Sequence, residues 1–448
     1  MSRRPAHLVI WSVAAALLSL PAVAAPDDGP NNILLILADD LGVDMVDAYD
    51  PGGNPAPMPI IGRLARNGIR FRNVWATPTC SPTRATILTG RYGFRTGIGL
   101  YITQRSTTEL PLSELLIPEA LDLHPELGYE HGVLGKWHLG NSIDAATRAG
   151  FGKFTGTRAN FHDGQTYDNW LKVECGTENW CTTYATSDTV NEALEFVATT
   201  PEPWFLYLPL NAPHARFSNP PENLHTQKLN RRSLRCERRE VYRAMVEAID
   251  TEVGRLLEGM GDRLERTTVI FMGDNGTPNE VLPDRAIAKH GKLSVFEGGL
   301  HVPLIISGPM VRNPGRDVHA LVSSTDLFAT CLDLAGLQLP EDLPTGLVTD
   351  SSSLVPYLTD PHAPAQRGML YAEMFGPNLR AELDHEIRAV RNDRYKLIHW
   401  IKPQDHWGFY DLLQDPLEAN NLMGTKWGRE RWNQFENLCS KIDEVLGS

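Results

Sequence analysis

Four apolar runs in this chain end in residues that can do chemistry. Ile33–Ala38 runs into Asp39-Asp40, and Thr268–Gly273 runs into Asp274-Asn275. Gly132–Gly135 leads to Lys136-Trp137-His138, and Trp204–Leu208 passes through Pro209 to Asn211 and His214. Asp39, Asp40, Asp274 and Asn275 are hard oxygen donors without the His/Cys mixture that zinc prefers, so a shared site would take Ca²⁺ or Mg²⁺. Lys136 and His138 share a face if the strand stays extended through both. A cation beside Lys, Arg and His traps an oxyanion. The expected substrate is therefore a sulfate or phosphate ester, or a group of that shape.

The stretch PTCSPTRATILTG, residues 78–90, adds Cys80 and Arg84. Pro82 suits a first helical turn and Gly90 a helix stop, so Cys80 stands at the positive end of a short helix. By itself that placement predicts a low-pKa thiolate nucleophile. A soft thiolate beside a hard cation is a poor match, and the two readings pull apart.

The elements that must position these groups are legible as a pattern. Short runs of aliphatic and aromatic residues read as strands buried on both faces. Helical stretches alternate with them, as at Ser187–Thr199 and Arg239–Met260. This predicts an α/β fold: a large, mixed, mostly parallel sheet sandwiched by helices, with ligands beyond the carboxyl ends of the strands. After a Pro/Asp/Ser-rich stretch around Leu339–Pro361, Ile387–Arg391 and Arg394–Ile398 flank Asn392-Asp393 like a hairpin. With a helix near Glu430–Val445 they predict a small antiparallel sheet carrying one helix.

Cys80-Ser81-Pro82-Thr83-Arg84, continued by Leu88-Thr89-Gly90-Arg91, resembles the C-x-P-x-R…L-T-G-R signature of type I sulfatases of the alkaline phosphatase superfamily. Further blocks follow in family order: Leu37–Gly42, Gly135–Gly140, Asn211–His214, Gly273–Gly276, Gly291-Lys292 and Glu297–Gly299. Tyr395–Ile398, Tyr410–Leu412 and Asp415-Pro416 match the family's C-terminal hairpin region, so the resemblance spans residues 31 to 425. It implies that a formylglycine-generating maturation enzyme oxidises Cys80 to Cα-formylglycine. One hydroxyl of the gem-diol would attack sulfur, the alcohol or phenol would leave, and the covalent sulfate ester would collapse to aldehyde and sulfate.

The resemblance also distributes roles. Asp39, Asp40, Asp274 and Asn275, with residue 80, would bind the metal, calcium rather than magnesium. Arg84 and Lys136 would hold the gem-diol, His138 would be the base for the collapse, and His214 and Lys292 would grip sulfate and protonate the departing oxygen. The chain departs from the family at Leu300-His301, where the usual pattern has arginine before Val-Pro, and at Gly273, where it has serine. A phosphonate monoester or phosphodiester hydrolase of the same superfamily is the nearest alternative. A non-catalytic protein that binds sulfated glycans through the basic stretch Arg231–Arg243 is a more distant one.

Composition bounds the rest. Arg3-Arg4, an apolar run from Leu8 to Leu20 and an A-x-A site read as a signal peptide over residues 1–24. A catalytic domain over 25–340 and a C-terminal subdomain over 341–448 would follow, exported to the periplasm or secreted, with no stable membrane anchor. Removing the leader's two arginines takes the net charge from -13 to -15, which excludes a general nucleic-acid binder and favours small sulfate esters or short oligosaccharides over polyanions. Export permits disulfides, and Cys175 with Cys181 is the expected pair among six cysteines. Trp170, Trp180, Trp400 and Trp407 fall in expected loops, where they would stack on a sugar or aryl group. Oligomeric state is not written in the sequence.

Overall fold

The computed structural model describes residues 31–49, 54–162, 164–229, 234–282 and 287–447. The expected leader, with Arg231 and Arg232 of the basic stretch, lies outside these residues, as do the side chains of Arg235 and Cys236. Among the described residues no helix is long and apolar enough to cross a membrane.

Ten strands form one sheet: β1 (Asn32–Ala38), β2 (Ile69–Trp75), β3 (Glu130–Lys136), β4 (Lys153–Thr157), β5 (Trp170–Glu174), β6 (Thr177–Cys181), β7 (Trp204–Pro209), β8 (Thr267–Gly273), β9 (Leu304–Ser307) and β10 (Arg316–Ser323). Their order is β10-β2-β9-β8-β1-β7-β3-β4-β5-β6. β8, β1, β7 and β3 are adjacent and mutually parallel. β9 runs antiparallel between β2 and β8, and the β5–β6 hairpin runs antiparallel at the far edge. The four apolar runs singled out above are therefore the four central strands, and their polar endings emerge along one edge.

Side chains alternate across these strands and feed two cores. Ile33, Leu35 and Leu37 of β1 pack with the helices Cys80–Thr89, Ile117–Asp122 and Asp326–Leu334. Leu34, Ile36 and Ala38 pack with Pro59–Asn67, Ala185–Thr199 and Leu234–Gly259. Burial on both faces explains why β1 reads as an unbroken apolar run rather than an alternating one.

The second sheet is an antiparallel meander of β11 (Leu370–Gly376), β12 (His385–Arg391), β13 (Tyr395–Lys402) and β14 (His406–Asp411). One face puts Ala372 and Ile387 against Trp75, Leu300 and Leu321 of the large domain. The other puts Leu397 and Phe409 against Leu438 and Ile442 of the helix Arg429–Gly447. A buried ionic cluster ties the two parts together. Lys396 Nζ lies 3.1 Å from Glu297 and 2.9 Å from Glu418, and Arg391 lies 2.9 Å from Glu297.

Two expectations fail here. Cys175 and Cys181 are both free. The residues between them form an arm of a hairpin, not a loop: Cys175 sits at its turn, while Cys181 pairs opposite Trp170 at the other end. Extended strands carry those two positions apart. Nor are the four tryptophans in loops. Trp170 starts β5 and is buried, Trp180 is in β6, and Trp400 and Trp407 are in β13 and β14, stacked on His406 and His399.

Candidate active site

Asp39-Asp40 and Asp274-Asn275 are neighbours because β1 and β8 pair in register, with Ala38 opposite Gly273. The pairing continues past the strand ends, where the Asp274 N–H donates to the Ala38 carbonyl at 3.0 Å and the Asp40 N–H donates to Asp274 Oδ1 at 2.8 Å. Asp40 takes a left-handed conformation, φ 70°, which turns the chain sharply at the sheet edge. Tyr242, from the long helix below, donates its hydroxyl to the Asp40 carbonyl at 2.7 Å. Asn275 Nδ2 donates to Asp40 Oδ1 at 2.9 Å.

The helix Cys80–Thr89 delivers Cys80 to this edge from its first turn, and Gly90, φ 68°, ends it as the left-handed cap. Cys80 Sγ and carboxylate oxygens of Asp39 and Asp274 lie within 4.8 Å of one another. One turn on, Arg84 is fully buried, 2.9 Å from Asp274 Oδ2 and 3.7 Å from Asp39 Oδ2. Its other terminal nitrogen donates to the Lys136 carbonyl at 2.6 Å. Lys136 Nζ pairs with Asp39 Oδ2. Lys292 Nζ lies 2.5 Å from Asp40 Oδ1, and His214 Nε2 lies 3.8 Å from Asp40 Oδ2.

His138 arrives differently from the way its spacing suggested. β3 ends at Lys136, and His138 has φ 59°, so the two-residue strand period does not extend to it. It is held by a relay instead. Ser81 Oγ donates to the His138 carbonyl at 2.8 Å and accepts the Ile102 N–H at 2.9 Å, and His138 Nε2 lies 2.9 Å from the Ile102 carbonyl. A carbonyl only accepts, so Nε2 carries the proton. Burial and the charge of Lys136 push the imidazole well below its ordinary pKa. It is thus neutral, with a bare Nδ1 that has no partner among the described residues.

The same reasoning applies to His214. Its Nδ1 faces the Ala215 carbonyl, so the lone pair sits on Nε2. Burial, with the charge of Lys292, lowers its pKa to about 4. Lys292 moves the other way: burial lowers its pKa, but Asp40 and Cys80 overcome that and keep it charged.

Cys80 is not the thiolate its helix position suggests. Burial raises its pKa, outweighing the pull of Lys136 and Lys292, and Asp39 and Asp274 add to the rise. Asp274 is raised to about 7 by burial and by Asp39. Asp39 is itself held low: burial opposes its charge, but Lys136, His214 and Arg84 prevail. Asp39 Oδ1 and Asn275 Oδ1 are buried without a partner among the described residues. Crowded carboxylates with orphaned oxygens are what a hard divalent cation would satisfy, so the donor set fits Ca²⁺ or Mg²⁺.

The structure thus brings every anticipated site residue to one edge: Asp39, Asp40, Cys80, Arg84, Lys136, His138, His214, Asp274, Asn275 and Lys292. Sequence reasoning missed the residues that hold them. Ser81 was visible only as part of a motif. Tyr167 donates to the Asn211 carbonyl at 2.6 Å and approaches that of His214 at 2.9 Å, and the Lys292 N–H donates to the Thr277 carbonyl at 2.9 Å. Nothing local marks Tyr167 or Tyr242 apart from other aromatic core residues. His301, the departure from the family pattern, has its ring 2.8 Å from the Arg72 carbonyl.

The family model for sulfatases matches residues 31–337, and the model described as N-sulphoglucosamine sulphohydrolase, C-terminal, matches residues 289–444. The chain belongs to the sulfatase family, hydrolases of sulfate esters. It is similar to N-acetylgalactosamine-6-sulfatase of Rattus norvegicus, 32% identical over 388 residues, covering 77% of this chain and 68% of the relative. Steryl-sulfatase of Mus musculus is 28% identical, covering 79% and 70% of the two chains. The crystal structure of Ps i-CgsB in complex with k-i-k-neocarrahexaose superimposes with a TM-score of 0.77 at 26% identity, covering 93% of this chain and 92% of that one.

Proposed function

We propose that this protein is an exported sulfatase that removes sulfate from a saccharide, using formylglycine made from Cys80 and a calcium ion. One observation carries the reading: a buried thiol at a helix start, wedged between Asp39 and Asp274 and facing Lys136 and Lys292. Such a thiol is a poor nucleophile in its encoded form. Support for a saccharide comes from the relative named N-acetylgalactosamine-6-sulfatase and from the neighbour whose structure is in complex with k-i-k-neocarrahexaose. Support for export is the leader-like segment at residues 1–24.

Asp39, Asp40, Asp274 and Asn275 would hold the cation, which supplies positive charge to the sulfate oxygens. Formylglycine at residue 80 would supply a hydroxyl nucleophile toward sulfur. The chain's own side chains do the rest. Arg84 and Lys136 hold residue 80 and neutralise the carboxylates around it. Charged Lys292 is the group able to give a proton to the departing oxygen, while His214, with its lone pair on Nε2, orients and accepts. His138 Nδ1 is free to take the proton when sulfate is eliminated.

Mass spectrometry of the peptide spanning Cys80, from enzyme made in its own host, tests the modification: a thiol that alkylates fully with iodoacetamide would refute it. Parallel assays on matched sulfate and phosphonate esters test the reaction, and faster phosphonate turnover would reverse the assignment. Cys80→Ala should abolish sulfate release.

A further inference from the structure

Ile102 orients the His138 imidazole, so whatever fixes Ile102 bears on the proton transfer. The residues from Gly97 to Ile102 belong to no helix or strand, and their place depends on what their backbone groups bond to. One side chain holds two of them. Asn378, in the turn after β11, accepts the Gly99 N–H at 2.9 Å and the Leu100 N–H at 2.8 Å through Oδ1. Its Nδ2 donates to the Leu100 carbonyl at 2.9 Å. With acceptor and donor both engaged on adjacent residues, the amide fixes the direction of the chain as well as its position. Beside it, the Leu379 N–H donates to the Gly97 carbonyl at 2.8 Å. The packing is equally close: a Cβ on Gly99 would strike the Phe375 ring, and one on Gly97 the Leu379 side chain.

Ile102 stands two residues beyond this clamp, and two residues of chain reach at most about 7 Å. Its N–H is bonded to Ser81 Oγ and its carbonyl to His138 Nε2, at 2.9 Å each. On the far side of Ile102, Asn141 Nδ2 donates to the Thr103 carbonyl at 2.8 Å. Asn141 follows His138 by three residues, so it travels with the histidine's own segment. Asn378 belongs to a different sheet and gives Ile102 a reference outside that segment. The imidazole is therefore aligned by a carbonyl whose place is set from the C-terminal part of the chain.

Resting on the reading of His138 as the group that takes the proton, we propose that Asn378 is a positioning residue for turnover. By clamping Gly99 and Leu100 it holds the Ile102 carbonyl against His138 Nε2, which keeps the proton there and Nδ1 bare. The small antiparallel sheet thus acts on the proton transfer through a backbone carbonyl.

Two readings on the full-length protein test this. The first is kcat and KM on 4-nitrophenyl sulfate or, where wild type turns it over faster, N-acetylgalactosamine 6-sulfate. Asn378→Ala should lower kcat by about tenfold to a hundredfold, the scale of a slightly misplaced catalytic group. KM should change by less than about twofold, because the groups that grip sulfate are untouched. Asn378→Asp keeps the acceptor for both N–H groups but sets an oxygen against the Leu100 carbonyl, so its kcat should fall between. Asn421→Ala is the matched control: Asn421 Oδ1 also accepts two N–H groups, of Phe409 and Met423, at 3.0 Å each. It should cost stability and leave kcat alone. The second reading is ¹⁵N NMR of histidine-labelled protein whose Cys80 is still a thiol, with His138→Gln assigning the signal. Wild type should show a protonated Nε2 and a bare Nδ1; Asn378→Ala should shift that pair toward exchange between tautomers, and Asn421→Ala should not. An Asn378→Ala variant with wild-type kcat, or one that loses kcat while the His138 signal stays, would overturn the proposal. Equal losses in Asn421→Ala would overturn it too. If Asn378→Ala does not fold, Asn378→Asp is judged by the same two readings. Wild-type protein that releases no sulfate from any ester would overturn the function, whereas the imidazole signal separately decides whether Asn378 holds His138.

Discussion

Arg84 Nη2 lies 2.9 Å from Asp274 Oδ2, and neither side chain reaches solvent. The pair joins the helix that begins with Cys80 to the end of β8, so it sets where residue 80 stands against the carboxylates. Arg84→Ala should leave Asp274 and Asp39 buried without that charge, a loss of about 3–5 kcal/mol. Arg84→Lys keeps the charge but not the fork that also reaches the Lys136 carbonyl. Both variants should lose sulfate release, the alanine variant with a lower midpoint in urea as well. An alanine variant as stable as wild type would contradict this account.

Chelation should act on stability as well as turnover. With Asp39 Oδ1 and Asn275 Oδ1 lacking a partner among the described residues, a cation at 100 times its Kd would stabilise the fold by about 2.7 kcal/mol. EGTA should lower the thermal midpoint and halt sulfate release, and added Ca²⁺ should restore both. Asn275→Leu should raise the Ca²⁺ concentration needed. A midpoint indifferent to chelator would argue against a bound cation.

Glu373 gives a pH signature remote from the site. Burial raises it from 4.5 to about 7, against the hydrogen bonds from the Phe94 N–H and the Tyr371 hydroxyl. The folded state therefore binds more protons than the unfolded chain between those values. Its contribution to stability is full below pH 4.5 and is lost as pH rises through 7. Glu373→Gln keeps the shape without the charge. It should be more stable than wild type at pH 8, by something on the order of 1–3 kcal/mol, with the gap closing by pH 5. Thermal melts at the two pH values decide it.

Lys396, from the small sheet, pairs with Glu297 of the part that carries the large sheet, and with Glu418 of its own C-terminal part. Lys396→Ala would leave both carboxylates buried, at a cost of about 3 kcal/mol or more. Limited proteolysis should then cut faster than in wild type between the Asp326–Leu334 helix and β11. Glu297 lies five residues after Lys292, so turnover should fall too.

Much of this was legible because the relevant physics is local. An apolar run followed by Asp-Asp or Asp-Asn needs only its own residues to be read as a buried strand with a polar end. The four endings could be grouped because parallel strands put like ends on one edge. The hairpin at Asn392-Asp393 was equally local: Asn392 Oδ1 accepts the N–H groups of Arg394 and Tyr395 at 2.9 and 2.7 Å. The readings that failed depended on where a segment lies. The Cys175–Cys181 pair was judged from spacing, which takes no account of a hairpin that holds the two cysteines at opposite ends. The thiolate was judged from the helix dipole, which burial outweighs.

The sequence by itself determined the donors, their order along the chain and the family, because residue types and motif spacing survive without coordinates. Only the tertiary structure decided which nitrogen of His138 is bare, that Cys80 is a buried thiol rather than an activated one, and that Trp180 alone of the four tryptophans Trp170, Trp180, Trp400 and Trp407 is more exposed than buried. Each of these depends on what a distant segment places against the residue, and such contacts leave no mark on neighbouring positions.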